Sequence, residues 1–303
     1  MNPEVYNQLI QIIDKERVLA DEPMKKHTTF RVGGNADFFV KPSTAEEVKR
    51  VVALCKKENL PYYILGNGSN LLVGDKGYRG VIIQIYKDMN EIVVDGDRIR
   101  AQAGALLSKV GSVALDAGLA GFEFAAGIPG TVGGAVMMNA GAYGGEMKDI
   151  LSSATVLTEN GEVLRLSNEE LELGYRTSVI AKKNYVVLEA EYQLKAGDKV
   201  EIRAQMDELK VRRVTKQPLE YASAGSTFKR PEGYFAGKLI QDAGLRGFEV
   251  GGAQVSEKHC GFVINKGNAT AADIVELMNQ VSEKVFQKFG VTLEPEVRRL
   301  GEF

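Results

Sequence analysis

Residues 127–145 read GIPGTVGGAVMMNAGAYGG, a glycine-rich stretch in a chain in which 33 of 303 residues are glycine. The stretch keeps neither the apolar spacing of a helix nor the alternation of a strand, so it predicts irregular backbone. Because glycine lets the backbone approach a ligand closely, we expect its amide groups to run along a flat, partly apolar ligand, with Thr131 and Asn139 as further donors. A tight crossing of two structural elements is the alternative reading.

A second glycine-rich loop, GNGSN at 66–70, follows an apolar run at 61–65. The helix pattern before that run begins at Thr44, which we expect to form a capping box with Glu47. Strand, helix and strand in this order predict a small α/β unit with its loop at the carboxyl end of a strand. There, successive backbone N–H groups, Ser69 and Asn70 can donate to phosphate oxygens, whereas the alternative is an ordinary turn.

Over the whole chain, the pattern of apolar residues and turn residues predicts an α+β fold in four segments. Residues 1–26 form a helical arm, 27–80 a small βαβ unit, 81–195 a mixed sheet domain and 196–303 a further α/β domain. In the third segment we expect strands at 81–85, 92–94, 154–157 and 186–194, turns at 95–97 and 159–161, and a helix at 106–117. In the last segment, a capping box of Thr270 and Asp273 predicts the start of a helix. Its core positions are expected at Ile274, Leu277, Met278, Val281, Val285 and Phe289.

Composition narrows the classes of function. Lys and Arg number 38 against 40 Asp and Glu, for a formal charge of −2, so no overall field favours nucleic acid or an anionic membrane. Cys55 and Cys260 lie far apart in apolar segments, which favours reduced thiols and a cytoplasmic setting. No run approaches the ~18 apolar residues of a membrane span. Residues 1–10 lack a basic region followed by an apolar stretch, so we expect no secretory signal. With His27 and His259 as the two histidines, we expect no metal site.

Known phosphate-binding signatures are missing from the sequence. Neither the G-x-G-x-x-G pattern of dinucleotide-binding Rossmann folds nor the P-loop pattern occurs in the chain. Any dinucleotide is therefore expected at the two loops described above.

Eight segments resemble, in the same order, motifs of the UDP-N-acetylenolpyruvoylglucosamine reductase family. They are HTTFRVGGNADF (27–38), ILGNGSNLLV (64–73), AGIPGTVGGAVMMNAGAYGGE (126–146), YRTS (175–178), GSTFKRP (225–231), AGKLIQDAGLRG (236–247), VSEKHCGFVIN (255–265) and LEPEVRRLG (293–301). The resemblance implies a two-part FAD-binding domain at 27–80 and 81–195, and a substrate-binding domain at 196–303. It also implies that the last residues, about 290–303, return to the active site.

The resemblance further implies an activity. Non-covalently bound FAD takes hydride from NADPH and reduces the enolpyruvyl group of a nucleotide sugar, giving UDP-N-acetylmuramate for peptidoglycan precursor synthesis. The residues it assigns to FAD lie in the two glycine-rich loops or directly after the first of them: Gly66, Asn67, Gly68, Ser69, Asn70, Leu71, Gly127, Ile128, Pro129, Gly130, Thr131, Gly133, Gly134, Asn139, Gly141, Ala142 and Tyr143.

Three residues match the catalytic positions of the family. Ser226 is implied as the proton donor to the carbanion that hydride transfer leaves beside the substrate carboxylate. Arg176 can present its planar fork to that carboxylate and stabilise the charge that grows there. Glu296 is implied to polarise the same carboxyl group, and because two carboxylates repel, we expect its pKa to be raised.

Substrate contacts are implied at Tyr175, Arg213, Lys229 and His259. Arg213, Lys229 and His259 are favoured over the other cations of the last segment as contacts of the diphosphate and uridine. The chain is similar to the shorter form of the family, which lacks a tyrosine-bearing lid loop, and a monomer is the default expectation. The partner is a small nucleotide sugar, with no nucleic acid and no membrane insertion.

The sequence leaves two other functions open. One is an FAD oxidase or dehydrogenase of the broader flavin-domain family, many of which attach flavin through His or Cys. Here His27 is the one histidine near the flavin segments, and neither cysteine lies in a glycine-rich loop. The other is a nucleotide-sugar sensor without redox chemistry, for which no signalling appendage is evident.

Overall fold

A computed structural model describes residues 2–303. The strands are β1 (Val18–Pro23), β2 (Asn35–Val40), β3 (Tyr62–Leu65), β4 (Leu71–Val73), β5 (Tyr78–Gln84), β6 (Ile92–Asp95), β7 (Arg98–Gln102), β8 (Leu119–Ala120), β9 (Gly141–Ala142), β10 (Gly145–Glu146), β11 (Leu151–Leu157), β12 (Val163–Ser167), β13 (Val186–Gln193), β14 (Lys195–Ala196), β15 (Ala222–Ser226), β16 (Glu249–Val250), β17 (Ala253–Val255), β18 (Phe262–Asn265) and β19 (Arg298–Leu300). The α-helices are α1 (Pro3–Leu9), α2 (Ala45–Lys57), α3 (Leu107–Ala117), α4 (Val132–Met137), α5 (Val179–Lys182), α6 (Lys199–Lys216), α7 (Ala236–Asp242) and α8 (Ala271–Phe289).

The chain divides into two compact units. The first contains the described residues up to Ala20, with Phe38–Asn67 and Gly80–Arg213. The second contains Asp21–Asp37, Gly68–Arg79 and Val214–Phe303. The division cuts the GNGSN loop between Asn67 and Gly68, so each unit carries part of it.

In the first unit, two sheets confirm the predicted mixture of α and β structure. Residues 18–20, 38–40, 62–65 and 80–84 belong to a sheet ordered β1-β2-β5-β3, in which β3 and β5 are parallel and α2 connects β2 to β3. The second sheet is ordered β12-β11-β13-β7-β6, with antiparallel neighbours. The predicted turns at 95–97 and 159–161 close its β6–β7 and β11–β12 hairpins.

The glycine-rich stretch contains a short helix that the sequence pattern did not predict. Thr131 caps α4, with its Oγ1 accepting from the N–H of Gly134 at 3.4 Å. Val132, Ala135 and Val136 are buried at the spacing of one helix face, and α4 packs on β13. Burial of this face outweighs the low helix propensity of two glycines.

The start of α2 differs from the predicted capping box. Thr44 Oγ1 accepts from the N–H of Glu47 at 3.1 Å, which is one half of the box. The carboxylate of Glu47 instead accepts from the N–H of Ser43 at 2.7 Å and receives both terminal nitrogens of Arg17 at 2.9 Å. A bidentate guanidinium is a stronger partner than the helix-end N–H, which explains the difference.

The second unit consists of an antiparallel sheet ordered β15-β18-β17-β16, with α8 packed against it and α7 packed on α8. The full capping box of Thr270 and Asp273 starts α8 as predicted. Phe289 was predicted in the core but is 37 % exposed, because α8 ends beside it at Gly290. The parallel pair of β4 and β19 places residues 298–300 directly beside 71–73.

Candidate active site

The first unit holds Gly66, Asn67 and the glycine-rich stretch together. The Asn67 amide donates to the carbonyl of Pro129 at 2.9 Å. A Cβ at Gly66 would lie 2.4 Å from Thr131 Oγ1, so these two segments approach each other as closely as glycine permits. Thr131 is itself 2 % exposed, and its hydroxyl oxygen caps α4; its role as a side-chain donor to a ligand stays a prediction.

The second unit holds the rest of the GNGSN loop against the segment 27–29. Gly68 has a φ of +63°, and its carbonyl accepts from the N–H of Thr29 at 3.1 Å. Within residues 2–303, the backbone N–H groups of Gly68, Ser69 and Asn70 donate to no protein acceptor. A row of such N–H groups favours an anion, so this part of the loop fits one end of a diphosphate.

Asn139 lies at the centre of a buried network in the first unit. Its side chain is 0 % exposed. Its Nδ2 donates to Glu146 Oε2 at 3.0 Å and to the carbonyl of Gly174 at 3.1 Å, while its Oδ1 accepts from the N–H of Lys148 at 2.9 Å. These bonds all go to protein groups, which corrects the expectation that this amide donates to a ligand.

Arg176 lies in a two-residue turn of the same unit. Gly174 and Thr177 close the turn, each donating its N–H to the other's carbonyl, at 3.1 and 3.3 Å. Arg176 has a φ of +55°, an uncommon conformation for a side chain of this size. Its guanidinium carbon lies 5.3 Å from the centre of the Tyr175 ring, and Tyr175 is 51 % exposed.

The segments that carry Ser226 and Glu296 lie side by side in the second unit, although the two residues are 70 positions apart. The N–H of Glu296 donates to the carbonyl of Thr227 at 2.8 Å, directly after Ser226. The side-chain amide of Asn70 donates to the carbonyl of Glu296 at 3.2 Å. The N–H of Arg298 donates to the carbonyl of Asn70 at 3.1 Å. These contacts join the predicted acid to Asn70 of the GNGSN loop and to Thr227, the residue after the predicted proton donor.

The residues predicted to bind substrate occupy different surroundings. Arg213 belongs to the first unit, where its Nη1 lies 3.4 Å from the position that a Cβ on Gly127 would take. Burial lowers the pKa of Arg213, and Tyr143 partly offsets this effect. Lys229 belongs to the second unit, where it forms an ion pair of 3.1 Å with Glu294.

His259 is held as a neutral ring in the second unit. Its Nδ1 accepts from the N–H of Gly261 at 3.1 Å, which leaves Nε2 to carry the proton. The ring lies edge-on to Phe262, with the centroids 5.0 Å apart. Burial is the main cause that lowers the pKa of His259, and the charge of Lys216 acts in the same direction.

This lowered pKa predicts a loss of stability in acid. Below the unfolded pKa of about 6.5, the unfolded chain binds a proton that the folded ring resists, so the free energy of unfolding falls as the pH falls. In His259→Gln this contribution is absent. The free energy of unfolding can be measured with urea from pH 7.5 to 5. Below about pH 6.5 we expect it to fall more steeply with pH for wild type than for the variant. Parallel curves would contradict the prediction.

Three further features of the described residues bear on other chemistry: metal ligands, membrane spans and cysteines. Residues 2–303 contain no group of three or more His, Cys, Asp or Glu side chains placed to hold a metal ion. No helix in this range is long and apolar enough to cross a bilayer. Cys55 and Cys260 are both free and buried, and burial raises the pKa of the Cys55 thiol to about 12.

Sequence reasoning missed three acidic residues, two of which contact predicted site residues. Glu146 lies at the end of a quoted motif but was given no role, and it bonds Asn139 and Lys148. Asp75 accepts from the N–H groups of Ala271 and Ala272, so it joins the end of β4 to the start of α8. Glu294 pairs with Lys229. The motif boundaries were a signal for Glu146 and Glu294; nothing local marked Asp75.

Comparison with known proteins decides the family. Residues 36–167 match the model of an FAD binding domain, and residues 217–300 match the C-terminal domain of UDP-N-acetylenolpyruvoylglucosamine reductase. The reductase of that name from Clostridioides difficile (strain 630) is 55 % identical over 301 residues, which are 99 % of each chain. The chain belongs to the UDP-N-acetylenolpyruvoylglucosamine reductase family. The resemblance predicted from the eight motifs is therefore confirmed, together with an FAD-binding domain.

Further members of the reductase family cover the chain equally well. The enzyme from Clostridium perfringens (strain 13 / Type A) is 54 % identical over 298 residues, 98 % of each chain. The crystal structure of the Thermus caldophilus reductase superposes with a TM-score of 0.80 at 37 % identity, covering 93 % of this chain and 98 % of that one. The predicted α+β class, with an FAD-binding domain and a C-terminal domain, agrees with this reductase fold.

Proposed function

We propose that this protein is an FAD-dependent reductase that converts UDP-N-acetylenolpyruvoylglucosamine to UDP-N-acetylmuramate, with NADPH as the hydride donor. The observation that carries the proposal is full-length identity of more than half to reductases of that name. We assign the enzyme to the cytoplasm and to peptidoglycan precursor synthesis, in keeping with its two free, buried cysteines.

FAD is assigned to the two glycine-rich loops. When bound, it accepts hydride from NADPH and delivers it to the methylene carbon of the enolpyruvyl group. The backbone N–H groups of Gly68, Ser69 and Asn70 suit its diphosphate. Gly66 and the stretch from Gly127 supply closely packed backbone, since a Cβ on Gly66 would meet Thr131 and one on Gly127 would approach Arg213. The side chain of Thr131 holds this backbone in place by capping α4.

The protein's own residues manage the charge and the proton of the second half-reaction. Hydride addition to the methylene carbon leaves a carbanion beside the substrate carboxylate. The guanidinium of Arg176 binds this carboxylate and stabilises the enolate-like charge. The Ser226 hydroxyl gives its proton to the carbanion and regains one from solvent. A protonated Glu296 donates a hydrogen bond to the same carboxylate without adding negative charge.

The nucleotide-sugar substrate is assigned to four side chains. Arg213 and Lys229 supply positive charge, and Tyr175 supplies an exposed ring beside Arg176. His259 contributes a hydrogen bond from Nε2–H rather than a full charge, because its ring is neutral. Lys229 can leave Glu294 and bind a phosphate at little cost in free energy, since exposed ion pairs contribute about 0–1 kcal/mol to stability.

One experiment tests the proposed function. We expect the purified protein to show flavin absorbance, to oxidise NADPH slowly alone, and to oxidise it rapidly when the enolpyruvyl nucleotide sugar is added. Oxygen consumption with an alcohol substrate would instead support a flavin oxidase. Sugar binding without NADPH oxidation would support a sensor. Protein that takes up no FAD would overturn the proposal.

A further inference from the structure

The turn that displays Arg176 is fixed at its base rather than at its tip. Gly174 and Thr177 exchange two hydrogen bonds, and Tyr175 and Arg176 lie between them. Ser178, the next residue, donates its hydroxyl to the carbonyl of Met137 at 2.6 Å and is fully buried. The direction of the Arg176 side chain therefore depends on how firmly this base is held.

Asn139 fixes the base of the turn at Gly174 through a hydrogen bond. Its amide donates to the same Gly174 carbonyl that accepts from Thr177. It is anchored in turn by Glu146 and by the N–H of Lys148, and it is completely buried. A buried side chain with three hydrogen bonds in a low-dielectric interior is rigid, so it fixes the carbonyl two residues before Arg176.

The same network also sets the charge near Arg176. Glu146 forms an ion pair of 2.8 Å with Lys148. The hydrogen bond from Lys148 is the largest cause that lowers the pKa of Glu146, and the Asn139 amide and the charge of Arg176 lower it further. Glu146 is therefore ionised and attracts the guanidinium from within the unit.

We propose that Asn139 is a positioning residue for Arg176, joining the glycine-rich stretch that holds the cofactor to the turn that holds the substrate carboxylate. This inference rests on the proposed function. A guanidinium fork acts only when its two N–H groups face the carboxylate, and a displacement of about 1 Å can cost on the order of 10²-fold in rate. The turn at a φ of +55° relaxes readily once its base is loosened.

A double-mutant cycle tests the proposal. We expect Asn139→Ala to slow the reduction of the sugar by reduced flavin about 10–100-fold, with the NADPH half-reaction near normal. In the background of Arg176→Ala, the same change should slow sugar reduction by less than about 3-fold, because its effect passes through the arginine. An equal slowing in both backgrounds would overturn the proposal.

Asn265→Ala is the matched control. Asn265 is also a buried asparagine, and it donates to the carbonyl of Phe30 at 2.9 Å while its Oδ1 accepts from Gly267 and Ala269. It belongs to the second unit and has no role in the proposed chemistry. We expect Asn265→Ala to lower stability as Asn139→Ala does. Any change that it causes in the rate of sugar reduction should be the same whether residue 176 is arginine or alanine.

Glu146→Gln keeps the cycle informative if Asn139→Ala fails to fold. The glutamine keeps the shape and loses the charge, and its effect on sugar reduction should also vanish in the Arg176→Ala background. Persistence of the effect there would overturn the proposal. Failure of the proposed function is distinguishable, because wild type alone would then lack flavin or sugar-dependent NADPH oxidation. A normal rate for Arg176→Ala would remove the role of the arginine and overturn the positioning with it.

Discussion

Replacement of Ser226 by alanine is expected to slow sugar reduction by about 10²–10⁴-fold, the range typical of one general acid. Ser226 is exposed at the end of β15, where a hydroxyl can meet a substrate, and the backbone on either side is fixed. The N–H of Thr227 donates to the carbonyl of Gly261 at 2.8 Å, and the carbonyl of Thr227 holds the N–H of Glu296. The substitution therefore removes the proton donor and should leave the surrounding backbone in place.

The measurement separates the two half-reactions. Stopped-flow absorbance of the flavin follows its reduction by NADPH and, separately, its reoxidation by the enolpyruvyl nucleotide sugar. Only the second should be slow in Ser226→Ala, because proton transfer to carbon belongs to that step alone. Ser223→Ala, three residues earlier on the same strand, is the control and should leave both rates unchanged. Equal losses in both half-reactions would assign Ser226 another role.

The sequence predicted individual elements well where one local pattern decided them. The box of Thr270 and Asp273 starts α8, and the turns at 95–97 and 159–161 close their hairpins. In each case, adjacent residues supply both partners of the decisive contact. The same reasoning failed at Glu47, whose carboxylate found a better partner 30 residues away in Arg17.

The sequence proposed the site as a set of residues, but it could not predict their contacts. The motifs nominated Arg176, Ser226 and Glu296, yet nothing in their spacing indicated that residue 296 lies against 227. Asn139 illustrates the same limit, because an asparagine in a glycine-rich run is equally suited to a ligand and to a neighbouring loop. Only the fold shows that its amide faces Gly174 and Glu146. Long-range pairing of this kind carries no local signature.

Replacement of Gly68 by alanine is expected to weaken FAD binding at least about 100-fold, which corresponds to about 2.7 kcal/mol. At its φ of +63°, a new Cβ would lie 2.1 Å from the carbonyl oxygen of His27 and 3.0 Å from Cα of Thr28. Both neighbours are backbone, so the loop itself must shift. That shift would displace the N–H groups of Ser69 and Asn70 that we assign to the diphosphate.

Gly96→Ala separates this clash from the general cost of a left-handed residue. Gly96 has nearly the same φ, +59°, but nothing lies within 4 Å of its Cβ position. Both variants should lose about 1–2 kcal/mol of unfolding free energy from the backbone conformation alone. Only Gly68→Ala should also lose affinity in fluorescence titrations of the FAD-free protein. If both variants bound FAD as wild type does, the diphosphate would have to be held by backbone other than 68–70. The close approach of glycine at position 68 would then serve the fold alone.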